Sequence, residues 1–229
     1  MDESWWPAQL RSARRATGLT QQQAATRLGV SQPYLAMLER GLRPVTCSLR
    51  SRIVGLYELG PVALPLDVGH AGNSSSLAAA LASLGYPGFR RLAGVPPQNP
   101  ASILLASLAE RDVEVRVLEA LPWLAIQYPN LDWAWLMREA KLRDVQNRLG
   151  FVVMLARQVA EKRGDVVVAS RLRKVEDTLD QVRLVREDTL CQESLSDAER
   201  RWLRQTRPSE AGHWNLLTDL NSRHLPYAA

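Results

Sequence analysis

The chain has 229 residues, of which 46% are hydrophobic and 23% charged, and its formal net charge is +5. This composition favours one or two packed domains over a disordered tail, and two widely spaced cysteines, Cys47 and Cys191, point to reduced, buried thiols instead of a disulfide. No run approaches the roughly 18 apolar residues of a membrane span, and residues 1–9 lack the pattern of a signal peptide, so we expect a cytoplasmic protein.

A capped helix, the second in our numbering, is predicted over Gln21–Leu28. Thr20 can cap it, because its hydroxyl can accept from the backbone and Gln23 stands at the third helical position, as in a capping box.

A tight turn separates the second helix from a third. Gly29 tolerates left-handed backbone angles, and Ser31 can cap the next helix, with Pro33 in the first turn where its missing N–H costs nothing. Leu35 and Leu38 are expected to face inward. Two helices joined by a short turn that carries glycine are typical of a helix-turn-helix motif.

The segment Leu10–Arg43 resembles the Cro/CI-type, or XRE, helix-turn-helix family at three motifs, GLTQ, LGVSQ and LERG. The resemblance covers about residues 7–60 and implies a leading helix at about Pro7–Thr17 and one or two closing helices between Cys47 and Leu59. It implies an N-terminal five-helix, lambda-repressor-like DNA-binding domain at residues 1–60, in an all-α protein.

The resemblance also implies which residues contact DNA. In that family, polar residues flanking the recognition helix hold phosphates, and the early positions of that helix read bases. Carried over to this sequence, the positioning residues are Gln21, Ser31, Tyr34, Arg40 and Arg43, and the base-reading residues are Gln32, Pro33 and Met37.

The chemistry of the three base-reading positions differs. Gln32 can make two hydrogen bonds to adenine, whereas Pro33 and Met37 offer only apolar contact, for example to a thymine methyl group. Pro33 departs from the polar residue often found at its position, which favours a site containing A·T pairs. The alternative for Gln32 is that it merely caps or solvates the end of the helix.

The positive charge belongs to the N-terminal segment. Residues 7–52 hold eight arginines and one acid, Glu39, which leaves 21 basic and 23 acidic residues elsewhere. Such a segment binds any DNA with a Kd of about 10⁻⁴ to 10⁻⁶ M. Because that is weak, we expect a homodimer that places two copies on half-sites about 34 Å apart.

The remainder divides into a connector and a second domain. Residues 61–98 are rich in Gly, Pro and Ser and are predicted to be a connector with one short helix, capped by Ser76 and ending at Leu84. Residues 99–229 are predicted to form a helical interaction or dimerisation domain that stays helical to its end.

Two heptad-like stripes mark that second domain. The first stripe is Leu142, Val145, Leu149, Val152, Ala156 and Val159, and the second is Val168, Leu172, Val175, Leu179 and Val182. The short segment Lys162–Asp165 between them favours an antiparallel helical hairpin. The stripes are either an internal bundle core or, at Leu172, Val175, Leu179 and Val182, an interface with a second copy or another protein.

Catalytic, cofactor and metal motifs were not found, and His70, His213 and His224 lie far apart, so we expect no enzyme and no cofactor. Two functions remain. One is a dimeric autorepressor, which could also be the antitoxin of a cognate toxin protein. The other is a transcriptional regulator with a small-molecule pocket in the tryptophan-rich C-terminal domain. A motif that binds protein in place of DNA is a third alternative, which the basic charge disfavours.

Overall fold

The computed structural model describes residues 5–67, 73–92 and 94–228. It contains two compact units: unit 1 is Met1–Asp67 with Pro96–Asn99, and unit 2 is Val68–Val95 with Pro100–Ala229. Within the described residues the regular structure is helical apart from two strands of two residues each. The predicted all-α class is therefore confirmed.

Unit 1 contains the predicted N-terminal helices. Its α-helices are α1 (Trp5–Ala16), α2 (Gln21–Leu28), α3 (Gln32–Leu38) and α4 (Cys47–Leu56). The fifth helical element is a single 3₁₀ turn, Pro61–Ala63. It stays short because Pro65 follows closely, and the residue before a proline is disfavoured in helical conformation.

Local caps explain where α2 and α3 begin and end. Thr20 Oγ1 accepts from the Gln23 backbone N–H at 3.2 Å, and Gln23 Oε1 accepts from the Thr20 N–H at 3.0 Å, which completes the predicted capping box. Gly29 has the left-handed φ of 63° that ends α2. Ser31 Oγ accepts from the Tyr34 N–H at 3.3 Å and caps α3. The predicted bounds of α2 and the capped start of α3 are confirmed.

The core of unit 1 is built from leucines and alanines of all four helices. Its buried residues are Leu10, Ala13, Ala24, Ala25, Leu28, Leu35, Leu38, Leu49, Ile53 and Tyr57. The partly buried Val30 and Tyr34 pack against this cluster. Tyr34 therefore lies at the rim of the α3 surface, where its side chain covers part of the core.

Unit 2 holds the remaining elements. They are α5 (Ser74–Ser83), a 3₁₀ segment (Pro87–Leu92), α6 (Pro100–Ala109), α7 (Val115–Gln127), α8 (Trp133–Leu142), α9 (Gln146–Lys162), α10 (Val166–Asp180), β1 (Asp188–Thr189), α11 (Asp197–Thr206), α12 (Ser209–His213) and β2 (Leu216–Leu217). β1 and β2 pair in parallel.

The short helix α5 begins earlier than the sequence predicted. Asn73, and not Ser76, is its cap: Asn73 Oδ1 accepts from the Ser76 backbone N–H at 3.0 Å. The Ser76 hydroxyl instead donates to the Asn73 carbonyl at 2.8 Å. Asparagine and serine both favour the cap position, so the first of them in the sequence takes that role and Ser76 lies inside the helix.

The first heptad stripe runs across a helix boundary. Asp144 has a left-handed φ of 56° and separates α8 from α9, so Leu142 ends α8 with 72% of its surface exposed. Val145, which precedes α9, is buried, and the stripe continues as a buried helix face from Leu149 to Val159 on α9. The prediction of one continuous stripe was wrong at its beginning.

Helices α9 and α10 form the predicted antiparallel hairpin. Arg157 Nη2 on α9 donates to Glu176 on α10 at 3.2 Å, and Arg173 Nη2 donates to Glu161 at 2.7 Å. Gly164 in the connecting turn has a φ of 74°, and Asp165 caps α10 through the Val168 N–H. The pairing order, in which later residues of α10 meet earlier residues of α9, shows that the helices run in opposite directions.

The second stripe lies in the interior of unit 2. Leu172 and Leu179 are 0% exposed and Val175 is 8% exposed, whereas Val182 lies beyond the end of α10 and is half-buried. These positions favour the bundle-core alternative, because the hairpin covers the face that an interface would need. Val182 leaves the helical register since α10 ends at Asp180.

Helical structure does not continue to the C-terminus as predicted. After α10, side chains of α9 take over the backbone hydrogen bonds: Asn147 both donates to the Leu184 carbonyl at 2.9 Å and accepts from its N–H at 2.8 Å. The buried Arg148 makes two hydrogen bonds to Asp188, at 2.7 and 3.0 Å. After α10, hydrogen bonds to side chains of α9 therefore take the place of the backbone hydrogen bonds that a continued helix would make.

Two buried side chains complete this part of unit 2. Trp214 is 0% exposed and packs on Gly150, where an added Cβ would lie 2.2 Å from a ring carbon. Cys191 is a buried free thiol whose Sγ donates to the Ser107 carbonyl at 3.4 Å, and burial raises its pKa to about 12. The side chain of Cys47 and the whole of His70 lie outside the described residues.

No helix in the described part of the chain is long and apolar enough to cross a membrane.

Candidate DNA-binding face

The exposed side of α2 and α3 carries the residues predicted to contact DNA. Pro33, Ser31, Arg40 and Arg43 are exposed, and Gln21, Gln32, Tyr34 and Met37 are half-buried. Leu35 and Leu38 point into the core, as expected. The predicted residues therefore share a surface of unit 1, although their side chains are not equally accessible.

Gln21 and Gln32 are joined directly. Gln32 Nε2 donates to Gln21 Oε1 at 2.9 Å, and Gln21 Nε2 donates to Glu39 Oε2 at 2.8 Å. The amide of Gln21 is thus fixed at both ends between α3 and the residue that follows it. One N–H of Gln21 is left for another acceptor, since a primary amide has two.

Glu39 is held by a buried arginine. Arg14 Nε donates to Glu39 Oε1 at 2.6 Å and Arg14 Nη2 donates to Oε2 at 3.1 Å, in a two-pronged pair between α1 and the end of α3. A third donor of the same guanidinium, Nη1, bonds to the Leu19 carbonyl at 2.9 Å. This arrangement fixes both the carboxylate and the segment that enters α2.

The pair also controls the ionisation of the carboxylate. Burial alone would raise the pKa of Glu39, but the hydrogen bonds from Arg14 and Gln21, with the charges of Arg14 and Arg11, outweigh burial and lower it. Glu39 is consequently ionised at neutral pH. Its charge is matched by Arg14, so the only acid of the basic segment adds little repulsion toward a phosphate.

Three further residues that organise the face were not identified from the sequence: Arg14, Glu39 and Arg52. Arg52 Nη1 on α4 donates to the Leu28 carbonyl at 2.7 Å and so satisfies the end of α2 beside the turn. The solitary acid in the LERG motif was a usable signal for Glu39. The sequence held no comparable signal for its partner among eight arginines.

Ser31 and Arg40, two further residues predicted to position the domain on DNA, keep hydrogen-bond donors available. Ser31 Oγ uses a lone pair to cap α3 and keeps its own O–H. Arg40 Nε donates to the Ala36 carbonyl at 3.1 Å, which directs its guanidinium along α3 while leaving the other N–H groups available. Together with the exposed Arg43, these groups give the face a surplus of hydrogen-bond donors, as phosphate oxygens require.

Unit 2 contains a separate concave site. Two adjoining cavities, of about 380 and 690 Å³, share Pro87, Gly88, Phe89 and Arg116 in their walls. We call them together the α5–α7 groove. Its position in the second unit makes it a candidate ligand site distinct from the α2–α3 face.

Comparison with known proteins identifies unit 1. Residues 8–65 match the model of a family described as "Helix-turn-helix domain", a match that spans α2, α3 and α4. No curated protein and no solved structure matches the chain. The chain therefore carries an N-terminal helix-turn-helix DNA-binding domain of the XRE-like kind, which supports a role as a DNA-binding transcriptional regulator.

Proposed function

We propose that this protein is a sequence-specific repressor that acts in the cytoplasm, binds its operator as a homodimer and represses its own operon. The observation that carries the proposal is the fixed Gln32–Gln21–Glu39 array on the exposed face of the helix-turn-helix. An array of this kind holds a base-reading amide in one orientation. We assign the protein no catalytic activity.

Gln32 is proposed to read adenine. Its hydrogen bond to Gln21 uses one of its two N–H groups, which leaves the other N–H and the carbonyl oxygen free. Those two groups match adenine N7, an acceptor, and the adenine N6 amino group, a donor, in the major groove. Pro33 and Met37 would contact neighbouring thymine methyl groups.

The positioning residues are proposed to contact phosphates. The second N–H of Gln21, the hydroxyl hydrogens of Ser31 and Tyr34, and the guanidinium groups of Arg40 and Arg43 supply donors around α3. These contacts carry no sequence information and fix the register of the domain on DNA. Specificity then depends on the base-reading residues and on having two copies.

The dimer is proposed to form through the C-terminal domain. We retain as a proposal the division into a DNA-binding domain at residues 1–60, a connector at 61–98 and an interaction domain at 99–229, although α5 and the 3₁₀ segment of the proposed connector belong to unit 2. Because Leu172, Val175 and Leu179 are buried within unit 2, we place the dimer contacts on another surface of that domain. Light scattering of the purified chain tests this step: a mass of one chain at micromolar concentration contradicts it.

An antitoxin role is proposed on analogy alone. Regulators with one helix-turn-helix and an added interaction domain often neutralise a toxin encoded beside them, and the fold by itself does not establish such a role. The test is co-expression with the product of the adjacent reading frame. A stoichiometric complex that relieves the toxicity of that product supports the role, and toxicity unchanged by this chain contradicts it.

A ligand-sensing regulator is the second candidate function. The α5–α7 groove favours it, because a concave site of several hundred Å³ with aromatic and charged walls has the size and lining of ligand pockets. In this alternative, an occupied groove changes the affinity of the protein for its operator.

DNA binding is tested by gel shift with the DNA upstream of the coding region and with random DNA of equal length. Between about 50 and 200 mM salt, affinity should fall steeply, because each phosphate contacted releases a counterion. Upstream DNA should compete better than random DNA at every salt concentration. Affinity that does not change with salt, or equal affinity for both DNAs, contradicts the proposal.

A further inference from the structure

The α5–α7 groove has one aromatic end. Its smaller cavity is lined by Tyr86, Phe89 and Tyr227, together with Glu119. The Tyr86 and Phe89 rings lie 5.3 Å apart, centre to centre, and those of Tyr86 and Tyr227 lie 6.3 Å apart at nearly right angles. A flat apolar ring can pack against the half-buried Phe89 and Tyr227 at this end, where the buried Tyr86 supports them from behind.

The aromatic walls are held in place by their neighbours. Tyr227 donates its hydroxyl hydrogen to the Glu119 carbonyl at 2.6 Å, and Arg163 lies 5.8 Å from the centre of the Tyr227 ring. Tyr86 packs edge-on against Trp123 at 5.2 Å. The cavity is therefore preformed, and a ligand would not have to order its walls on binding.

The other end of the groove is basic. The larger cavity is lined by Arg90, Arg91 and Arg116, all exposed, and no hydrogen bond or ion pair joins them to the described residues. Other arginines of unit 2 differ: Arg148 and Arg157, for example, are paired with carboxylates. Three available guanidinium groups around one concavity form a site for an anionic group, which guanidinium binds through two parallel hydrogen bonds.

Two carboxylates decide how a ligand would be oriented. Glu114 lines the larger cavity and Glu119 the smaller one, so the charged side chains of the groove sum to +1. Glu119 disfavours an anion at the aromatic end. The arginines outnumber the single carboxylate of the larger cavity, so the anionic group belongs there and the ring belongs beside Phe89 and Tyr227.

We propose that the α5–α7 groove binds a small planar aromatic anion. Its ring packs against Phe89 and Tyr227, and its carboxylate or phosphate group binds Arg116, which lines both cavities, with Arg90 and Arg91 nearby. A cavity of about 380 Å³ accommodates a one- or two-ring compound. The site goes beyond the proposed function at DNA, and it depends on residues of unit 2 alone.

Calorimetry with the full-length protein tests the site. Adenosine 5′-monophosphate and indole-3-acetate are the anionic probes, and adenosine and indole-3-acetamide are their neutral counterparts. At least one anionic probe should bind about tenfold or more tightly than its neutral counterpart, the effect of losing a charged hydrogen-bonding group. Binding of only one anionic probe identifies which combination of ring and anionic group the groove accepts.

Matched variants locate the site. Arg116→Gln should weaken the anionic probe about tenfold and leave the neutral counterpart unchanged, whereas Phe89→Ala should weaken both. Arg201→Gln is the control, because Arg201 is an exposed arginine on α11 outside the groove. Circular dichroism melting of each variant separates a lost contact from a lost fold.

Three results would overturn the proposal. The first is that neither anionic probe binds at about 5 mM, a concentration that detects even weak complexes. The second is equal binding of the charged and neutral probes, and the third is equal affinity of the Arg116→Gln and Arg201→Gln proteins for the anionic probe. Gel shifts with the same preparations report on DNA binding separately. A groove that binds neither probe in a protein that still shifts DNA leaves the helix-turn-helix function intact.

Discussion

Arg14 on the first helix makes two hydrogen bonds to Glu39 at the end of the recognition helix, although 25 residues separate them. The pair joins α1 to the end of α3, one of the two helices that carry the candidate DNA-binding face. Its carboxylate also accepts from Gln21, so the stability of the domain and the orientation of the two glutamine amides that we propose to contact DNA depend on the same group.

Replacing Glu39 with Gln should destabilise unit 1 by about 3 kcal/mol, because it leaves the guanidinium of Arg14 buried without a countercharge. Urea unfolding at neutral pH, followed by circular dichroism, measures the loss. Glu58→Gln is the matched control, since Glu58 is an exposed glutamate in the same unit. Equal stability of the two variants would show that the buried pair contributes nothing.

The same pair predicts a dependence on pH. The folded-state pKa of Glu39 lies below its ordinary value of 4.5, so its contribution is complete above about pH 4.5 and is lost as the pH falls through the folded-state value. The stability difference between the wild type and Glu39→Gln should therefore be constant from pH 7 to about 5 and shrink under stronger acid. A difference that grows on acidification would contradict this sign.

Replacing Gln32 with Ala should reduce discrimination at one base pair by about 1–3 kcal/mol, while binding to random DNA changes little. Competition gel shifts with operator variants measure it. Gln22→Ala provides the control, because Gln22 is exposed on the same helix as Gln21 but outside the hydrogen-bonded array. If operator and random DNA lose affinity equally, Gln32 does not read a base.

Replacing Leu179 with Asp should unfold unit 2, because Leu179 is 0% exposed and the aspartate would be buried without a partner. Val167→Asp is the control on the same helix, since Val167 is 72% exposed. Far-UV circular dichroism and light scattering together give the answer. A folded Leu179→Asp monomer from a wild-type dimer would instead identify the stripe as the interface.

Replacing Gly150 with Ala should cost about 1–3 kcal/mol, because the added Cβ would overlap the Trp214 ring in a packed interior. Gly212→Ala is the control in the same unit, where the nearest atom to an added Cβ is 3.8 Å away. Thermal unfolding monitored by tryptophan fluorescence compares them. A melting temperature for Gly150→Ala equal to that of the control would contradict the packing at this contact.

The sequence predicted the elements that short-range chemistry controls. The capping box at Thr20, the left-handed Gly29 and the cap at Ser31 each depend on neighbours within four residues, so the bounds of α2 and the start of α3 were predictable. The Arg14–Glu39 pair joins residues far apart in the chain, and any of the eight arginines in the segment could have been the partner of Glu39. Only the packing of the helices determines which arginine reaches Glu39.

The errors in unit 2 have a similar cause. The heptad spacing of apolar residues continues through Asp144, but the left-handed φ of Asp144 separates α8 from α9. Aspartate can adopt this conformation, and the spacing of apolar residues gives no sign of it. The segment after α10 leaves helical structure because Asn147 bonds to the backbone of Leu184, a contact that the spacing of apolar residues does not encode.

The contact between Gln32 and Gln21 has a consequence for the entropy of recognition. A free glutamine on a protein surface samples many rotamers and must give up this freedom when it meets a base, at a cost of about 0.5–1.5 kcal/mol. Gln32 has already lost much of that freedom in the folded domain, because Gln21 holds its amide at 2.9 Å. Part of the entropy cost of ordering Gln32 is therefore already met when the domain folds, and in the proposed dimer this holds for each of the two copies.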